Sequence, residues 1–299
     1  MIISASRRTD IPSHYSEWFL NRMKAGFVLV RNPRNFHQIR RIDLLPNVVD
    51  GIVFWTKNPL PLLDRLDELK DIMFVFQFTL TAYGQDIEPN LPAKEKFILP
   101  AFQRLSDMIG PDRVIWRYDP IFFNEKYSLA YHLDIFDKIA YALRDCTRKV
   151  TISFIDTSYR EAKRNLPGMQ MAASNPEDRT PNTAYRLLAE IAHSHGLEID
   201  QCAGTANLEQ FGIAQARCID DRLFAKLLGR PIHLDKDKYQ RRQCACRTSV
   251  DIGMYNTCPN GCLYCYANYN HSLVAGNHAG HNPLSPLLSG EQPPCDTES

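Results

Sequence analysis

No stretch of this sequence approaches the roughly 18 apolar residues that a membrane helix needs. The first residues, MIISASRRTDIP, lack the basic region and long apolar run of a secretory signal. A cytoplasmic protein with no membrane partner is therefore expected. Charge of one sign is missing too: 35 Lys and Arg face 34 Asp and Glu, a net +1. That balance gives no bulk electrostatic reason to expect a nucleic-acid partner. There is no internal repeat. No G-x-G-x-x-G turn follows the first apolar run, which argues against an open dinucleotide-binding sheet. A disulfide framework does not suit the expected compartment, where thiols stay reduced, so the nine cysteines need another reading.

What is present is a chain of 299 residues, 44% of them hydrophobic. That is enough for one large core or two modest ones. Near-continuous apolar runs recur at residues 2–5, 51–56, 73–81, 113–118, 149–155 and 197–202, as expected of parallel strands buried on both faces. Residues 64–70, 93–109, 129–144 and 181–195 have helical periodicity, with Thr180 as an N-cap before Pro181 and Gly110 and Gly196 as stops. The repeated β-α order predicts a parallel α/β fold, a TIM-like full or partial barrel over residues 1–271. Residues 27–32 and 36–42 read as an inserted hairpin. The stretch from 272 to 299 is rich in Gly, Pro, Ser, His and Asn and reads as a loosely ordered tail.

Ligands in such folds bind beyond the carboxyl ends of the strands. Polar residues gather there: Ser6-Arg7-Arg8-Thr9-Asp10, then Thr56-Lys57-Asn58, then Thr81 and Tyr83, then Arg117-Tyr118-Asp119, then Asp156, then Cys202. The cations Arg7, Arg8, Lys57 and Arg117 and the carboxylates Asp10, Asp119 and Asp156 are candidate catalytic residues. They suit a zwitterionic cofactor or an anionic substrate, and equally an internal salt-bridge network.

Five cysteines fall between Cys244 and Cys265. Cys258, Cys262 and Cys265 stand at C-x3-C-x2-C spacing, with Pro259 and Gly261 to tighten the loop. Three soft thiolates suit iron–sulfur clusters and zinc. Zinc would have to recruit Cys244 or Cys246, as would a fully ligated electron-transfer cluster. A cluster with three thiolates and one open iron needs neither. Cys146, Cys218 and Cys295 have no evident role. Cys202 reads as a packed core residue or as a hydrogen-atom donor.

The spacing, with Tyr264 before the last cysteine, resembles the cluster loop of the radical S-adenosylmethionine superfamily. The whole chain resembles an uncharacterised bacterial family with a late cysteine cluster of this kind. The stretches that match are Ser4 to Pro12, Trp55 to Pro59, Trp116 to Pro120 and the cysteine segment. The resemblance implies a [4Fe–4S] cluster on Cys258, Cys262 and Cys265, with S-adenosylmethionine on the fourth iron and an external electron donor. It implies cofactor contacts from Arg7, Arg8, Thr81 and Tyr264, and radical chemistry on a substrate that no motif here specifies. In that superfamily the loop follows the first barrel strand; here it comes late. A circular permutation reconciles the two and predicts a strand near Val250–Tyr255 beside the one that starts at Ile2. The alternative function is a non-radical iron–sulfur or zinc protein that binds a ligand.

Overall fold

The computed structural model describes residues 1–156, 160–166, 181–204 and 207–291. Among them the strands are β1 (Ile2–Ala5), β2 (Phe27–Arg31), β3 (Ile39–Asp43), β4 (Gly51–Thr56), β5 (Phe74–Thr79), β6 (Val114–Ile121), β7 (Lys149–Phe154), β8 (Glu198–Gln201), β9 (Ile213–Gln215) and β10 (Val250–Asp251). The helices are α1 (Ile11–His14), α2 (Ser16–Ala25), α3 (Leu60–Leu63), α4 (Leu99–Ile109), α5 (Leu129–Leu143), α6 (Arg160–Asn165), α7 (Pro181–Ser194), α8 (Asp221–Leu228) and α9 (His271–Ala279). The fold is mixed α/β with a large parallel central sheet of eight strands. No closed barrel is seen among the described residues. The expected parallel α/β class holds.

Contacts divide the chain into two compact units. The first takes Met1–Phe74, Ser249–Pro259 and the chain from Ala267 onward. Its strands run in the order β10-β1-β4, all parallel. Ile3 pairs with Val250 and Ser4 with Asp251, so the late segment does lie beside the first strand, as permutation requires. β1 is buried at every position, which explains its unbroken apolar run. α1 starts where the Asp10 carboxylate accepts a hydrogen bond from the Ser13 amide at 3.1 Å. The hairpin is real: β2 and β3 pair antiparallel, from Phe27 opposite Asp43 to Arg31 opposite Ile39.

Residues 272–291 are more ordered than the composition of the stretch suggests. They form most of α9 and then run along α2 and β2. Ser285 O accepts from Trp18 Nε1 at 2.9 Å, Leu284 O from Arg22 Nη2 at 3.0 Å, and Pro286 O from the Leu29 amide at 2.9 Å. Leu287 and Leu288 are buried. Polar composition misled here because the segment is held by its own backbone carbonyls. Residues 292–299, with Cys295, lie outside the described residues, as does the expected N-cap Thr180.

The second unit takes Val75–Thr248 and Asn260–Tyr266, and its strands run β5-β6-β7-β8-β9, all parallel. Trp116, Phe76, Phe78, Phe102 and Phe136 are buried in its core. α5 begins at Ser128, whose hydroxyl accepts from the Tyr131 amide, and α4 stops at Gly110 with φ 87°.

Candidate metal centre

The chain leaves the first unit after Pro259 and returns to it at Ala267. Cys258 therefore belongs to the first unit, and Cys262 and Cys265 to the second. None of the three is in a disulfide. Cys258 is buried; the other two are half-buried.

Cys258 lies seven residues beyond β10, past the carboxyl end of a strand in a parallel sheet. That is where such sheets hold ligands. The approach is fixed by a network centred on Asp251, at the end of β10. Its carboxylate accepts from Ser4 Oγ at 2.9 Å, Ser6 Oγ at 2.6 Å and the Arg7 amide at 2.9 Å, and pairs with the Arg8 guanidinium at 3.1 Å. Burial would raise this carboxyl; Arg8, the Ser6 hydroxyl and the Arg7 amide more than offset it and hold it below the usual range. Thr9 Oγ1 donates to Met254 O at 2.8 Å and meets Thr257 Oγ1 at 2.6 Å. The Tyr15 hydroxyl donates to Thr257 O at 2.5 Å; burial first, and the neighbouring Cys258 second, push its ionisation up. Asn256 takes φ 55°, and its Oδ1 accepts from the Tyr269 and Asn270 amides at 2.9 and 3.1 Å. Asn268 Nδ2 donates to Cys258 O at 2.6 Å. Backbone on both sides of Cys258 is thereby set.

In the second unit the segment 260–266 docks on the loop after β5. The Asn90 amide donates to Asn260 O at 3.3 Å, and the Leu263 amide to Ile87 O at 3.0 Å. The Cys265 amide donates to Cys262 O at 3.0 Å, closing a turn between the two cysteines. Gly261 has φ 71°, a conformation that glycine adopts without strain. Leu263 and Tyr264 pack against Tyr83, Ile87, Phe122, Tyr127 and Leu166. The Tyr264 hydroxyl donates to Glu88, a buried carboxylate that also accepts from Thr81 Oγ1 at 3.0 Å and pairs with Lys94.

The structure places the other expected residues as follows. Asp10 is buried: it accepts from Thr56 Oγ1 at 2.7 Å and the Lys57 amide at 2.8 Å as well as capping α1, and burial raises its carboxyl. It joins the loops after β1 and β4. The Arg7 guanidinium lies 5.0 Å from the Trp55 ring centroid. Arg117 is buried, with Nη1 on Gln77 Oε1 at 3.2 Å and Nη2 on Asp119. Asp156 pairs with Arg241 at 3.0 Å. Of the strand-end residues, Arg117 and Asp119 pair with each other, while Arg8 pairs with Asp251 and Asp156 with Arg241. Asp251, Glu88, Lys94 and Tyr15 were not singled out from sequence. Asp251 could have been, as a carboxylate ending a strand two residues before a glycine; Glu88 lies in a loop and Lys94 opens the helical turn Lys94–Ile98, and only the fold reveals their meeting.

The donor set at C-x3-C-x2-C fits a soft centre in kind: three sulfurs on a loop whose backbone is already fixed. Among the described residues no group of three or more His, Cys, Asp or Glu side chains stands gathered for a metal ion. No described helix is long and apolar enough to cross a membrane.

A family model described as "Domain of unknown function (DUF1848)" matches residues 2–267. Searches of curated proteins and of solved structures give no match. The match spans nearly the whole chain, and the chain belongs to that family.

Proposed function

We propose that this member of the family is an iron–sulfur enzyme of the radical S-adenosylmethionine type, with a [4Fe–4S] cluster on Cys258, Cys262 and Cys265. One observation carries the reading: the three thiols follow β10, the strand that pairs in parallel with β1. In this reading the sheet is a permuted full or partial barrel, and the late loop takes the place that an early loop has in an unpermuted one. The loop gathers its sulfurs on binding, as apo metal sites commonly do.

When bound, a cluster with one open iron supplies the single electron that cleaves S-adenosylmethionine and starts radical chemistry. The residues of the chain bind and orient. Asp251 fixes the loop that carries Arg7 and Arg8, whose cations would meet the cofactor carboxylate. Tyr264, anchored on Glu88 beside Thr81, would exclude water from one side of the loop. Lys57 would receive an anionic substrate, with Arg117, held by Asp119, and Asp10 and Asp156 shaping the loops around it. The proposal includes a cytoplasmic location and an external reductant.

Anaerobic reconstitution with ferrous iron and sulfide tests it. The chain should take up iron and sulfide in equal number. Cys258→Ala, Cys262→Ala and Cys265→Ala should each abolish the uptake, while Cys146→Ala leaves it unchanged. Uptake that survives any of the three substitutions contradicts the ligand set.

A further inference from the structure

The second unit holds another group of sulfurs, in addition to the C-x3-C-x2-C segment. Cys202 directly follows β8 and Cys218 closely follows β9, two adjacent parallel strands. Cys244 and Cys246 come from the loop ahead of β10. The Cys218 thiol donates to Cys202 Sγ at 3.6 Å. Cys246 lies close enough to Cys218 and to Cys244 to bear on the ionisation of both. Cys218, Cys244 and Cys246 are buried and Cys202 is half-buried; none is in a disulfide.

The backbone holds these sulfurs in place. The Arg247 amide donates to Ile219 O at 3.0 Å, which ties the Cys246 segment to the Cys218 segment. The Cys202 amide donates to Ile152 O at 2.9 Å and the Cys244 amide to Arg241 O at 2.8 Å. Gln77 Nε2 donates to Cys218 O at 3.1 Å. Ala203, next to Cys202, takes φ 50°, a left-handed conformation that costs a non-glycine residue energy and recurs at ligand sites.

As they stand, the four thiols are neighbours and not a formed coordination shell. One pair nevertheless already has the spacing of one. Zinc–sulfur bonds of about 2.3 Å put the edge of a tetrahedron at about 3.8 Å. Cys202 and Cys218 are 3.6 Å apart. Four thiolates around a divalent ion leave two negative charges, and a cation beside them lowers that cost. Arg117 Nη1 already donates to Cys218 Sγ at 3.0 Å.

We propose that Cys202, Cys218, Cys244 and Cys246 form a closed zinc site that fastens the loops after β8 and β9 to the 244–246 segment. Binding releases the four thiol protons to solvent, forms four zinc–sulfur bonds and involves no change of oxidation state. With no open position, the site is structural. It does not depend on the cluster reading.

The test uses the full chain carrying Cys258→Ala, Cys262→Ala and Cys265→Ala together, so that failure of the cluster reading leaves it intact. Metal analysis after purification with zinc should find about one zinc per chain. Adding Cys218→Ser or Cys246→Ser should remove it. Where those variants do not fold, the metal-stripped triple variant is titrated with cobalt. Intense tetrahedral bands with thiolate-to-cobalt charge transfer, bleached by added zinc, support the site. A metal-free chain without such bands overturns the proposal. So does a Cys202–Cys218 disulfide in the purified chain, or iron with sulfide bound by these four cysteines.

Discussion

Asp251 is the residue on which the first unit's loops converge. One half-buried carboxylate satisfies two hydroxyls, an amide and a guanidinium. Asp251→Asn would leave Arg8 without its partner and should cost about 3–5 kcal/mol, read by urea unfolding. Because the folded carboxyl lies below its ordinary 3.8, this stability is complete above that pH and is lost as pH falls below it. His132 acts in a different window. It is buried on the Tyr118 hydroxyl at 2.8 Å and Phe122 O at 3.0 Å, and burial lowers its pKa from 6.5 to about 4. Between those values the unfolded chain holds a proton that the folded chain does not, so stability falls as pH drops. From pH 7 to pH 5 the loss from this residue should be about 2 kcal/mol. His132→Gln should flatten that slope; an unchanged slope would show that another group titrates there.

At the scale of elements, the approach of the loop after β10 to the loop after β1 is very close. A Cβ on Gly253 would fall 2.0 Å from Ser6 Oγ. Gly253→Ala should therefore destabilise by about 1–3 kcal/mol, and thermal unfolding should show it. Legibility in the sequence followed burial. β1, β4 and β5 were plain because both faces are covered and the apolar run is unbroken. β9 has two exposed residues of three and left no such trace. β10 is two half-buried residues, and only the logic of permutation pointed to it. α1 and α2 went unread because Pro12 and the non-helical Tyr15 break their periodicity. The helix expected at 64–70 begins earlier as α3, with Pro61 in its first turn, and resumes as a 3-10 turn at Leu66–Leu69. Among candidate site residues, Arg117 and Asp119 were legible because two charges break an otherwise apolar strand. Cys218 was not, because its partners come from loops far apart in sequence.

For the molecule as a whole, the two cysteine groups divide the chemistry. Cys202, Cys218, Cys244 and Cys246 would brace the second unit. In the proposed reading Cys258, Cys262 and Cys265 would be an incomplete ligand set open to a cofactor, and the pairing of β10 with β1 would account for their late position. The most direct measurement is the electron paramagnetic resonance spectrum of the reduced, reconstituted protein with and without S-adenosylmethionine. An open iron on three cysteines predicts that the signal changes when the cofactor is added. A cluster signal that stays the same would mean that the fourth iron is closed, and would contradict the account.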